Sequence, residues 1–110
     1  MSKNYRASLS ACLGDPVDGN PTGVIMEAGY EAAGLNYRYI TCKVLPEDFE
    51  GAMKGMRAMN MRGVNLTMPH KIAVIEHLDE LTQAARIIGA VNTIANRDGY
   101  LIGENTDGKG

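Results

Sequence analysis

Apolar and polar positions along this chain follow two periods, and each predicts a different element. Tyr5, Ala7, Leu9, Ala11 and Leu13 alternate with more polar neighbours, which predicts a strand over 5–13. Gly14-Asp15-Pro16 ends it and opens a loop, reaching Thr22, that is rich in Asp, Gly, Asn and Pro. Val24, Ile25, Ala28, Ala32 and Leu35 then form one stripe at helical spacing, predicting a helix over 23–33. Thr22 or Asn20 caps its start and Gly34 suits its end. A second strand is expected over 37–44.

Pro46-Glu47-Asp48 has the chemistry of a helix start: a residue with preset φ, then acids facing the positive end of the dipole. Phe49, Ala52, Met53 and Met56 supply the apolar face, and the methionines read as core filling. Gly51 and Gly55 weaken this helix by about 0.5–1 kcal/mol each relative to alanine. A third strand is predicted over 61–66. After Pro69, Ile72, Ile75 and Leu78 recur at helical spacing. A further helix is expected over 79–88, with Leu81, Ala84, Ala85 and Ile88 inward and Gly89 as its stop. Strands over 91–96 and 100–103 flank Arg97-Asp98-Gly99, a strong hairpin signal. Alternating strands and helices predict an α/β fold: an open twisted, mostly parallel sheet with helices on both faces and a C-terminal antiparallel hairpin.

Composition narrows the function classes. The chain has 110 residues, 45% apolar and 22% charged, with a net charge of −2. That suits one small globular domain. No basic stripe points to nucleic acid. No apolar run approaches the roughly 20 residues needed to cross a bilayer, and the start lacks the basic and apolar segments of a secretory signal. Cys12 and Cys42 lie in apolar strand-like segments without metal spacing, so buried thiols in a reducing cytoplasm are expected and a zinc site is not.

Candidate chemistry gathers where the third strand meets the helix after Pro69. Thr67, His70 and Lys71 place a hydroxyl, an imidazole and an amine at a strand-to-helix junction, where ligands of open α/β sheets bind. The plainer alternative is a solvated helix start with a surface lysine.

Two further stretches bear on that choice. Asn65-Leu66-Thr67-Met68-Pro69-His70-Lys71, Gly89-Ala90-Val91-Asn92-Thr93 and Gly103-Glu104-Asn105-Thr106-Asp107-Gly108 follow one another in register. Together they resemble the shikimate dehydrogenase family (shikimate/quinate 5-dehydrogenases), whose substrate-binding domain carries N-[VL]-T-x-P-[HYF]-K, G-A-x-N-T and G-x-N-T-D-G. The resemblance covers nearly the whole chain, 1–110, and implies a six-stranded sheet. It implies catalytic roles for Lys71 and Asp107, and hydrogen bonds from Thr67 and Asn92 to ring hydroxyls. The implied reaction is the reversible, NADP-dependent reduction of 3-dehydroshikimate to shikimate, or the quinate equivalent, in chorismate and aromatic amino-acid biosynthesis. A lysine near its ordinary pKa of about 10.4 is a weak general base, so a catalytic Lys71 needs a tuning partner, and Asp107 is the expected one.

The first loop departs from the family pattern G-x-P-[IV]-x-x-S-x-S-P, whose two serines bind the substrate carboxylate. Asn20 and Thr22 stand at the serine positions, Gly23 replaces the final proline, and Asp18 adds a negative charge. Asn20 and Thr22 are the expected carboxylate-side ligands, with shikimate, quinate and related cyclic polyol acids all open. No Gly-rich phosphate loop occurs, so the family's Rossmann NADP-binding domain is expected to be absent from this chain. The alternative function is a stand-alone binding or sensing module for a cyclic polyol acid. A face left uncovered without a cofactor domain predicts self-association into a homodimer.

Overall fold

A computed structural model describes residues 6–106. The chain runs β1 (Ser8–Gly14), α1 (Thr22–Ala32), β2 (Tyr37–Lys43), a 3₁₀ turn (Pro46–Asp48) leading into α2 (Phe49–Ala58), and β3 (Gly63–Leu66). It continues as α3 (His70–Ala73) tightening into a 3₁₀ turn (Val74–His77), β4 (Glu80–Leu81), α4 (Gln83–Ile88), β5 (Thr93–Arg97) and β6 (Tyr100–Glu104). The predicted first-strand residue Tyr5 lies outside the described residues.

The strands form one sheet in the order β2-β1-β3-β5-β6-β4. β2 and β3 flank β1 in parallel, β5 is antiparallel to both β3 and β6, and β4 is parallel to β6. Every strand but β5 therefore points the same way. The C-terminal β5–β6 hairpin turns through Asp98 and Gly99, both at positive φ (54° and 96°). This is the tight turn that Asp-Gly favours.

Period two divides the sheet into unlike faces. Ala11 and Leu13 of β1, Val64 and Leu66 of β3, Ile94 of β5 and Leu101 of β6 are buried on one face. Phe49, Met53 and Met56 of α2 and the neighbouring Val74 and Ala85 complete that core. Full burial of each of these side chains larger than alanine is worth about 1.5–3 kcal/mol. The other face carries Thr41, Cys12, Asn65, Thr93 and Glu104 in one register row across five strands.

That polar face explains why α1 differs from its predicted stripe. The helix lies over β1 and β2, with Gly23 against the Tyr39 ring, and buries none of its residues. Val24 and Ile25 are 76% and 68% exposed, because the sheet beneath offers hydroxyls and amides rather than an apolar surface.

Two other elements depart from the sequence pattern. α3 ends after four residues, so the tighter turn that follows rotates Val74 into the core and leaves Ile72 70% exposed. The helix expected over 79–88 is shorter, because Glu80 and Leu81 pair with Ile102 and Gly103 of β6. Thr82 then caps α4, its hydroxyl accepting the Ala85 N–H at 3.3 Å, and Gly89 ends the helix at φ 78°. The resulting β4 is the sixth strand, and Ile88 sits at the surface.

Arg57 ties three elements together. Its guanidinium donates to the carbonyls of Gly99 and His77 and pairs with Asp79 at 3.3 Å. The Asp79 carboxylate also accepts the Leu101 N–H at 2.7 Å.

Candidate functional site

Strand direction decides which residues meet. The ends of β1, β3 and β6 and the start of the reversed β5 share one edge of the sheet. The three motifs lie there and are hydrogen-bonded to one another. Leu66 N–H donates to the Asn92 carbonyl at 2.8 Å, and Val91 N–H donates to the Lys71 carbonyl at 2.8 Å. Asn92 N–H donates to the Glu104 carbonyl at 3.0 Å, and Asn105 Nδ2 to the Ala90 carbonyl at 3.1 Å. Asn92 also clasps Thr106: its Oδ1 accepts the Thr106 N–H at 3.1 Å and its Nδ2 donates to Thr106 Oγ1 at 3.0 Å. Thr67 joins the same edge, its N–H donating to the Leu13 carbonyl at 3.0 Å. Its hydroxyl fills the space above Gly14, where a Cβ would lie 1.7 Å from Oγ1, so glycine is needed for this close approach.

Thr67, Lys71 and Asn92 are thus gathered at one place, with Thr106 beside them. Asp107 follows Thr106 and lies outside the described residues. His70 does not join the polar group. It is buried, stacks on Phe49 with ring centroids 4.4 Å apart, and donates from Nε2 to the Val44 carbonyl at 2.6 Å. Its place is in the core beneath the site, because α3 turns its side chain inward.

Asn20 and Thr22 belong to the first loop, anchored by buried Val17. Asn20 Oδ1 accepts the Thr22 N–H at 2.9 Å, and Nδ2 points to Cys12 Sγ at 3.6 Å. Since Cys12 is in register with Asn65, Asn20 overhangs the polar face one strand from β3. A cleft of about 560 Å³ opens there, bordered by Asn20, Tyr39, Thr41, Glu27 and Glu31.

The polar face is organised by residues the sequence pattern did not single out. Tyr39 O–H donates to Asn65 Oδ1 at 2.8 Å, and Asn65 Nδ2 to Thr93 Oγ1 at 3.3 Å. Thr93 O–H donates to Asn92 Oδ1 at 3.0 Å. With the Asn92–Thr106 bond, every donor in this chain points in the same direction. Burial pushes the Tyr39 phenol up, aided by Cys12, and burial likewise raises the Cys12 thiol. Tyr39 therefore stays protonated and remains a donor at neutral pH. The alternation Val64–Asn65–Leu66–Thr67 was the available signal: two apolar residues face the core and two polar ones face away.

The turn before α1 carries Asp15, Asp18 and Pro21 instead of a run of glycines, so its carboxylates would repel a pyrophosphate. Among the described residues no cluster of three His, Cys, Asp or Glu side chains is placed to hold a metal ion. No helix among them is long and apolar enough to cross a membrane.

The class the fold defines is an α/β domain whose sheet edge gathers the three motifs, the place where open α/β sheets bind ligands. The sequence profile described as "Shikimate dehydrogenase substrate binding domain" matches residues 12–94, and the chain belongs to that family. Shikimate dehydrogenase (NADP(+)) of Desulforamulus reducens is 44% identical over 97% of this chain and 37% of its own length. Among solved structures, the 5-ketofructose reductase of a Gluconobacter strain superposes with a TM-score of 0.94 at 48% identity, over 96% of this chain and 38% of that one. Shikimate 5-dehydrogenase of Thermus thermophilus, in complex with NADP(H) and shikimate, gives 0.86 at 38% identity, over 91% and 38%. The chain therefore spans under two fifths of each of these relatives.

Proposed function

We propose that this chain is the substrate-binding portion of an NADP-dependent dehydrogenase that interconverts a ring ketone and its secondary alcohol. The observation that carries the reading is the junction of three motifs, hydrogen-bonded through Asn92 at one sheet edge. In the form named for the curated relatives, the reaction is reversible reduction of 3-dehydroshikimate to shikimate, or of the quinate counterpart. The hydride is the cofactor's contribution and comes from outside the described residues. Thr67 and Asn92 hold ring hydroxyls, which an amide can both donate to and accept from. Lys71 and Asp107 handle the proton at the reacting oxygen: the Lys71 ammonium donates it during reduction and the resulting amine takes it back during oxidation, while the Asp107 carboxylate favours the charged lysine.

A second reading, in which the substrate is a related polyol rather than shikimate or quinate, has support from Asn20 and Thr22, which stand where the family pattern has serines. The Gluconobacter relative is named for reducing 5-ketofructose, a ketose. A cytoplasmic location and pairing with a second copy belong to the same proposal. Free Cys12 and Cys42 support the first, and exposed Ile72, Ile87 and Ile88 support the second.

The test is NADP-linked turnover by the protein carried together with its cofactor-binding part. Lys71→Ala and Asp107→Ala should each lower kcat by about 10²–10⁴-fold. Unchanged turnover in both variants would remove the assigned roles.

A further inference from the structure

Asn92 meets a ligand with one half-buried amide, and its neighbours decide what that amide can offer. Resting on the dehydrogenase reading, in which Asn92 holds a ring hydroxyl, we infer that Tyr39 is a positioning residue for the substrate: acting through Asn65 and Thr93, it keeps Asn92 a hydrogen-bond donor, and only a donor, toward the substrate.

The direction of every bond follows from one backbone group. The Thr106 N–H can only donate, so the Asn92 atom it meets at 3.1 Å is the oxygen, and the nitrogen faces Thr106 Oγ1 at 3.0 Å. Thr93 Oγ1 lies 3.0 Å from that same oxygen, so its hydroxyl spends its one proton there. Thr93 can then only accept from Asn65, which turns Nδ2 to it at 3.3 Å and its own oxygen to Tyr39. The phenol proton is thereby committed to Asn65 at 2.8 Å. The Cys12 thiol, hydrogen-bonded to the same phenol, is left to donate to the Tyr39 oxygen.

The count at Asn92 then closes. Both lone pairs of Oδ1 are filled, by Thr93 and Thr106, and one Nδ2 hydrogen is used on Thr106 Oγ1. One N–H remains for a substrate oxygen, and no acceptor remains. Each bond in such a chain polarises the next, so filling Oδ1 also makes the remaining N–H a better donor. Without the Tyr39 proton, Asn65 can turn its oxygen to Thr93. The Thr93 proton is then shared between two acceptors, and Asn92 loses the partner that polarises and steadies it.

The sheet is arranged to let Tyr39 reach. β1 lies between β2 and β3, so Asn65 stands two strand spacings from Tyr39, about 9.6 Å. The phenol crosses β1 where that strand presents only the small Ser10 and Cys12 on this face, in register with Tyr39 and Asn65 respectively. Phenylalanine would fill the same space and lack only the proton.

The experiment is steady-state kinetics of NADP-linked oxidation of shikimate or quinate by the protein carried together with its cofactor-binding part. Tyr39→Phe should raise KM about three- to tenfold, the worth of one hydrogen bond, with kcat within about twofold, because the weakened contact is equal in ground and transition states. A purely structural role would instead lower the active fraction, and with it kcat, at unchanged KM. The Tyr39→Phe, Thr93→Val double variant should have the KM of Thr93→Val alone, since both cut one chain, and Thr93→Ser, which keeps the hydroxyl, should match the parent. An unchanged KM in Tyr39→Phe, or fold-changes that multiply in the double variant, overturns the inference and leaves the dehydrogenase reading standing. A parent protein that turns over neither acid overturns that reading, and the inference with it.

Discussion

Thr93→Val tests the directed hydrogen-bond chain on the polar face, because valine keeps the shape of threonine and removes its hydroxyl. Thr93 Oγ1 accepts from Asn65 Nδ2 at 3.3 Å and donates to Asn92 Oδ1 at 3.0 Å, so both bonds are lost at once. A net intramolecular hydrogen bond is worth about 0.5–1.5 kcal/mol, and the longer of these two belongs at the lower end. The combined loss is about 1–2 kcal/mol, partly offset by a half-buried methyl. For a domain of this size each kcal/mol lowers Tm by about 4–8 °C. Urea denaturation measures the stability, and the side-chain amide resonances of Asn65 and Asn92 report the geometry. Both amides should shift in Thr93→Val and return in Thr93→Ser, which keeps the hydroxyl. A valine variant within about 0.3 kcal/mol of the parent, with both amide resonances unmoved, would refute the idea that Thr93 orients them.

Other consequences follow from packing, charge and capping. Gly103→Ala would set a Cβ 2.4 Å from Leu78 Cδ1 and 2.9 Å from Val91 Cγ2, so overpacking should cost about 1–3 kcal/mol in a denaturant melt. Asp79 is held below the usual carboxylate range, first by the Leu101 N–H and then by Arg57. Its contribution is therefore present above the unfolded pKa and lost as pH falls through the lowered native value. Asp79→Asn should flatten the acid limb of the stability curve below about pH 4, and an unchanged limb would contradict this. Thr82→Ala removes the cap of the six-residue α4 and should cost about 0.5–2 kcal/mol, seen as faster amide exchange at Ala85.

The strands and the hairpin were legible because each rests on local chemistry: alternation for β1, the turn and helix-start signals that bracket β2 and β3, and Asp98-Gly99 for the β5–β6 turn. β4 was not. Leu81, Ala84, Ala85 and Ile88 fit one helical stripe, and only the neighbouring β6 pulls Glu80 and Leu81 into the sheet. The stripe on α1 misled for a similar reason, since its burial depends on what the sheet beneath displays. Within the site, Lys71, Thr67 and Asn92 were legible through motif order, and the edge they share supports that grouping. Tyr39, Asn65 and Thr93 were not, because their partners lie on strands whose neighbours follow from topology rather than spacing. His70 was grouped with Lys71 by adjacency, but successive residues on a helix point about 100° apart. Asn20 was legible as a loop residue of the polar face: it borders the cleft, and its side-chain oxygen accepts the Thr22 N–H.

The reversed direction of β5 has a practical use. It sends the hairpin turn to the edge opposite Thr67 and Asn92, where Asp98 stands exposed. A fluorophore or affinity handle attached through a cysteine at that position would sit a full strand length from the ligand. The Gly99 carbonyl held by Arg57 would keep the attachment point steady. The fold thus separates the edge that gathers the three motifs from an end that can be relabelled, giving binding studies a reporter set apart from the residues under test.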